Sequence, residues 1–272
     1  KRISDQGTIQ VYRLKFSYEQ ILSFSKPIHG HKFMYRCIPK SEPGQVIEQM
    51  NVDISPCDFW SYGWDSHGNR TIYGTTNQEH DKFILRVSGI SRNDWTIYDQ
   101  KHRNIYLLRA QTDYTRPDED MISEIEDHLG MIRTLKNDYK RSVKIMDYIY
   151  DTFTYTKNVT TVTTKADEAF AMAKGVCQDY AHVMIGICRY FQIPARYVSG
   201  MMIGEGYSHA WVEIFSDGKW YGFDPTNHLL IDDTYIRFSR GRDCTDCILN
   251  QGIYYGICQE KQEIKASVEV IK

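Results

Sequence analysis

A chain of 272 residues, 42% hydrophobic and 25% charged, has the composition of a folded globular protein with a sizeable core. Its formal net charge of -2 argues against a nucleic-acid partner and against an acidic membrane surface. No apolar run reaches the length of a membrane span, and no leader peptide is visible behind the charged Lys1-Arg2 start.

Residues 8–91 read as strands. Segments 8–18, 46–54 and 82–87 alternate apolar and polar residues, with turn signals at Pro43-Gly44 and Ser66-His67-Gly68-Asn69 between them. The pattern predicts an antiparallel β-sandwich over residues 1–92, either structural or a wall of a substrate cleft or partner surface. Residues 93–116, with Tyr98, Tyr106, Leu107 and Leu108, read as a linker. A mixed domain is expected from 117 to 272, which makes the chain α+β.

Pro117 before Asp118-Glu119-Asp120 marks a helix start, so 118–129 reads as a short acidic helix ending at Gly130. Leu135, Tyr139, Val143, Met146 and Ile149 fall near the helical repeat and predict an amphipathic helix over 135–153. Residues 154–157 leave it extended, 160–164 form a threonine-rich loop, and 167–174 form a short helix stopped by Gly175. Tyr180, Ala181, Met184, Ile185 and Cys188 then line one face of a buried helix, with Cys177 on its first turn. Gly175 is expected to allow the tight turn that aims Cys177 at a cleft.

Residues 193–203 read as a strand, and Gly204-Glu205-Gly206 as a lip over the cleft or an ordinary hairpin loop. Residues 208–214 alternate, with His209, Trp211 and Glu213 on one face and Ala210, Val212 and Ile214 on the other. Asp217-Gly218 signals a two-residue hairpin, and the returning strand 220–224 stops at Pro225. That turn sets Ser216 opposite Lys219 and brings Asp224 diagonal to His209. Residues 235–239, 252–258 and 263–270 read as further strands, the last closing the sheet.

A cysteine on the first turn of a helix meets free N–H groups and the positive end of the dipole, which favour its thiolate. The alternative is a small buried core residue. A histidine and an aspartate on one hairpin supply the other two parts of an activated nucleophile. The remaining candidates are weaker. Cys244-Thr245-Asp246-Cys247 lacks the second ligand pair of a zinc site and the strand–helix context of a redox motif, so it reads as two incidental loop cysteines. His182 faces away from Cys177 and reads as a core or surface histidine, and Gln178 as a plain helix residue. Trp211 is a candidate wall of the substrate cleft. No acidic run has calcium-loop spacing, and no metal or cofactor is expected. Seven cysteines without dense disulfide spacing favour a reducing compartment, the cytoplasm.

Gly175-Val176-Cys177-Gln178-Asp179-Tyr180-Ala181, then His209-Ala210-Trp211-Val212-Glu213, then Trp220-Tyr221-Gly222-Phe223-Asp224-Pro225-Thr226-Asn227 resemble, in that order, the transglutaminase-like superfamily. The likeness is strongest to its bacterial branch of candidate cysteine proteases. Phe16-Ser17-Tyr18-Glu19-Gln20 and Trp64-Asp65-Ser66-His67-Gly68-Asn69 resemble that branch's N-terminal β-domain. Gly241-Arg242-Asp243 resembles its segment after the acid. The resemblance implies a papain/transglutaminase-like core, a cysteine-bearing helix packed on an antiparallel sheet that carries the histidine and aspartate. It implies Cys177 as nucleophile, His209 as base and Asp224 as orienting acid. An oxyanion hole would use the Cys177 N–H and an upstream side chain, for which Tyr155 is the candidate. The implied activity is hydrolysis of peptide, isopeptide or side-chain amide bonds in a peptide or protein substrate, through a thioester. Cross-linking of glutamine to primary amines and a non-catalytic protein-binding module are the alternatives.

Overall fold

The computed structural model describes residues 12–95 and 105–271. The expected strand residues 8–11, and residues 96–104 of the expected linker with Tyr98, lie outside them. One strand, Tyr12–Tyr35, organises the N-terminal half. Leu14, Phe16, Tyr18, Leu22 and Phe24, then Ile28, Phe33 and Tyr35, are buried along it, as two-residue alternation dictates. Its first part pairs antiparallel with His80–Asn93 on one side and Glu260–Ile271 on the other. Its second part pairs with Arg70–Thr76 and Asn250–Tyr255. The register shifts between Ser23 and Ile28, where the strand exchanges one set of partners for the other. Phe33 and Tyr35 from the second part pack on Phe83, which belongs to the sheet of the first. The two parts thus enclose a single aromatic core.

The last strand joins a different sheet from the one it was expected to close. Residues 260–271 do not extend the sheet that carries His209. Phe16 stands opposite Val268 and Tyr18 opposite Ala266, so the strands Tyr12–Tyr35 and Glu260–Ile271 lie side by side in one sheet. Alternation in the sequence specifies a strand and its buried face but not its neighbour, and pairing across the whole chain length is a tertiary choice.

The middle of the chain forms a second antiparallel sheet in the order Leu229–Leu230, Lys219–Asp224, His209–Ser216, Ala195–Met202, Tyr235–Gly241. Helices Glu119–Leu129, Asp138–Thr152, Ala166–Met172 and Cys177–Tyr190 share a core with its Ala210, Val212, Ile214 and Phe223. The first helix begins as expected, because the Asp118 carboxylate accepts the Met121 N–H at 2.8 Å. The second begins at Asp138 rather than 135, because the Asn137 side chain caps it by accepting the Lys140 N–H at 3.0 Å. Among the described residues, no helix is long and apolar enough to cross a membrane.

The two halves meet along the edge strand Tyr235–Gly241. Among the described residues no strand pairs with its outer edge, and side-chain amides of the N-terminal half take that place. Gln45 exchanges two hydrogen bonds with the Arg237 backbone, at 2.8 and 3.0 Å, and Asn69 does the same with Arg240, at 2.9 Å each. A primary amide carries a donor and an acceptor, as a peptide unit does, so it can complete a ladder.

Candidate active site

Val176 has an extended backbone (φ −110°), and Cys177 is the first helical residue. Valine cannot cap a helix with its side chain. Asp179 reaches back instead, and its Oδ2 accepts the Val176 N–H and the Thr160 hydroxyl at 2.7 Å each. A Cβ on Gly175 would stand 2.4 Å from that Oδ2. Gly175 is therefore bare to admit the carboxylate. The left-handed residue of the preceding turn is Ala173 (φ 49°), which also ends the Ala166–Met172 helix ahead of the expected stop at Gly175. Thr154–Tyr155 pairs in parallel with Lys174–Gly175 and ties Tyr155 to the same helix start.

The hairpin has the expected register, with Ser216 opposite Lys219 and Val212 opposite Phe223. His209 begins its strand opposite Gly200, where a Cβ would strike the Ile236 carbonyl oxygen at 2.1 Å and the Trp211 ring at 2.5 Å. The His209 Nε2 lies 2.7 Å from Asp224 Oδ2, and the ring lines one cleft with Cys177. Burial alone would lower the His209 pKa. The bond to Asp224 and the neighbouring Cys177 outweigh it and raise the pKa to about 10.

Asp224 is fully buried. Besides His209, its Oδ2 accepts from Asn227 Nδ2 at 2.8 Å and the Tyr235 hydroxyl at 2.9 Å, while Oδ1 accepts the Thr226 and Asn227 N–H groups at 3.1 and 3.2 Å. Burial opposes its charge, but the bond and charge of His209, with the Asn227 and Tyr235 side chains, hold its pKa below the ordinary carboxylate value. Cys177, His209, Tyr155, Tyr207 and Asn227 line one cleft of about 440 Å³. A larger hollow of about 930 Å³ on the sandwich contains neither cysteine nor histidine in its lining. The smaller cleft is thus lined by a sulfur and an imidazole, the imidazole backed by a buried carboxylate, an arrangement suited to activating a thiol and protonating a leaving group.

The model of the transglutaminase-like superfamily matches residues 128–225, a span that contains Cys177, His209 and Asp224. That of the bacterial transglutaminase-like N-terminal region matches residues 14–91. The chain belongs to the transglutaminase-like superfamily. The structure of a candidate cysteine protease from Cytophaga hutchinsonii shares the fold, with a TM-score of 0.79 over 97% of this chain and 92% of its own, at 18% identity. An uncharacterised protein of Mycobacterium tuberculosis is 37% identical over 139 residues, 45% of this chain and 44% of its own. One of Mycobacterium leprae is 39% identical over 112 residues, 38% of this chain and 40% of its own. The chain thus spans less than half the length of these curated relatives.

Other expected site residues of this transglutaminase-like core fall in and out of the cleft. Tyr155 lines it half-exposed, and burial together with the Cys177 charge raises its pKa. Gly204-Glu205-Gly206 also lines it, as a lip rather than a free hairpin loop, because these residues pair with Ala266, Ser267 and Val268 of the sandwich. Trp211 does not line it. It is 1% exposed and packs edge-on to Tyr235, with ring centroids 5.5 Å apart. Being on the same strand face as His209 places it beneath the imidazole rather than beside the cleft. His182 is a core residue whose Nε2 accepts the Cys244 N–H at 3.2 Å, and burial lowers its pKa to about 4. Gln178 donates to the Val162 carbonyl. Cys244 and Cys247 bound a short 3₁₀ turn, and both are free thiols. Two residues of the site went unread in the sequence. The Asp224-Pro225-Thr226-Asn227 run was a visible signal for Asn227, since an aspartate that turns the chain onto its own N–H groups is an Asx turn. Nothing local to Tyr235 signals its contact with Asp224.

Proposed function

We propose that the chain is a thiol-dependent acyl-transfer enzyme that hydrolyses peptide, isopeptide or side-chain amide bonds. Cys177 acts as nucleophile, His209 as acid and base, and Asp224 as the acid that orients the imidazole. The observation that carries this reading is the His209 ring, bonded at Nε2 to a fully buried carboxylate and lining the same cleft as Cys177. An imidazole pKa raised to about 10 favours the imidazolium form of His209, so the neutral ring can take up the Cys177 proton. The thiolate adds to the amide carbonyl. His209 protonates the departing amine, and water, deprotonated by His209, then cleaves the thioester. The Cys177 N–H belongs to the first helical residue and has no partner within the helix, so it is free to hold the oxyanion. The Tyr155 hydroxyl at the cleft is the second donor. The substrate is a peptide or protein, and the seven free thiols suit a reducing, cytoplasmic setting.

A peptide-library digestion with and without an added primary amine, read by mass spectrometry, tests this. The expected result is cleavage or deamidation by the native chain and none by Cys177→Ala. Amine incorporation in place of hydrolysis would instead make the chain a cross-linking transglutaminase. No reaction with any peptide, together with Cys177 alkylation as slow as that of buried Cys188, would make it a binding module.

A further inference from the structure

Asp224 Oδ2 receives three donors, and they differ in origin. Asn227 lies three residues along the same turn and His209 on the neighbouring strand. Tyr235 comes from the far edge of the sheet, with the His209 and Ala195–Met202 strands between it and the strand of Asp224. It is 2% exposed, and its ring packs against Trp211. Its backbone carbonyl is held from the opposite side by the N-terminal half. Asn93 Nδ2 donates to it at 2.7 Å and Trp95 Nε1 at 3.1 Å. Asn93 is itself fully buried and bonded to the Ser91 hydroxyl, and the Trp95 N–H is anchored on Asp233 at 2.8 Å. Hydrogen bonds at the two ends of Tyr235, its carbonyl and its hydroxyl, therefore link the β-sandwich through that residue to Asp224 and the imidazole.

We infer that Tyr235 is a positioning residue for Asp224, and that the N-terminal β-sandwich, through Asn93 and Trp95, sets where that carboxylate stands against His209. This rests on the reading of Cys177, His209 and Asp224 as a catalytic triad. It goes beyond that reading by making the sandwich a support of the triad. A hydrogen bond to a buried charge is among the stronger neutral-donor contacts, and a phenol held at its backbone has little freedom to relinquish it.

The test is the second-order rate of Cys177 alkylation by iodoacetamide against pH, measured on the full chain by mass spectrometry, with partly exposed Cys57 as internal control. Tyr235→Phe keeps the ring and removes the hydroxyl. It is expected to lower the Cys177 rate at pH 6 about tenfold and to raise the pH midpoint of alkylation, because a less well placed carboxylate supports the imidazolium less. The Cys57 rate stays unchanged. Asn93→Ala is expected to lower the Cys177 rate about threefold, and the double variant to match Tyr235→Phe alone, since both act through one hydroxyl. If Asn93→Ala opens the fold, seen as fast alkylation of Cys188, Trp95→Phe takes its place in the cycle. An unmoved midpoint in Tyr235→Phe, or effects that multiply in the double variant, overturns the inference. A native midpoint that His209→Ala leaves unchanged would remove the triad reading, and this inference with it. A midpoint that depends on His209 but not on Tyr235 would remove this inference alone.

Discussion

Two carboxylates are buried on the two strands of one hairpin, and their surroundings differ in one respect. Glu213 lies between the guanidinium groups of Arg196 and Arg237, and Arg237 continues to Glu42 of the N-terminal half, which also pairs with Lys40 and Arg240. Its charge is balanced by cations that keep their protons. Among the described residues Asp224 has no arginine or lysine partner. It is held by neutral donors and by an imidazole that can gain and lose a proton. The first arrangement clamps two sheets together; the second can take part in a reaction. Burial of an acid does not distinguish them, whereas the titratability of its partner does.

Several substitutions would break or sharpen that contrast. Asp224→Asn should lower kcat by about 10³ to 10⁴, because the imidazole loses the acceptor that sets its tautomer and supports its cation. Steady-state kinetics on a cleaved peptide check this. Glu213→Gln should instead destabilise the fold by about 3–5 kcal/mol, since it leaves guanidinium charge buried without its counter-ion. Urea unfolding measures that loss.

The pH dependence separates the two acids a second way. Burial opposes the Glu213 charge, but Arg196 and Arg237 prevail and lower its pKa from 4.5 to about 2. The stabilisation this supplies, roughly 3 kcal/mol, is present above the unfolded value and is lost as pH falls from there through about 2. The His209 pKa is raised from 6.5 to about 10, so its contribution is full below 6.5 and is lost as pH rises through 10. Unfolding measured across both windows should show an acid decline absent from Glu213→Gln and an alkaline decline absent from Asp224→Asn. A single decline removed by either substitution would contradict the contrast. The smallest expected effect is that of Gly175→Ala. It displaces the Asp179 carboxylate from the Val176 N–H and should cost about 1–2 kcal/mol, the range of a lost helix cap, read as a lowered melting temperature.

Much of the site was legible in short stretches of sequence. The Asp217-Gly218 turn dictated the register of Val212 with Phe223, and so the nearness of Asp224 to His209. The helical repeat after Cys177 placed that residue on a first turn. Gly175 was read for the wrong reason, because a glycine that makes room looks the same in sequence as one that turns. Trp211 shares a strand face with His209, but alternation does not say whether that face meets a cleft or a neighbouring strand, and here Tyr235 covers it.

Local chemistry therefore determined most elements of this protein, the apolar faces they bury, the first-turn place of Cys177 and the nearness of Asp224 to His209 on one hairpin. These follow from backbone periodicity and turn geometry, which act over a few residues. Only the tertiary structure decided that residues 260–271 return to the first strand, that amides of the sandwich complete the edge strand at 235–241, and that Tyr235 reaches Asp224. Those contacts join residues far apart in the chain. Their formation depends on which surfaces and unpaired backbone groups remain to be covered once the local elements exist.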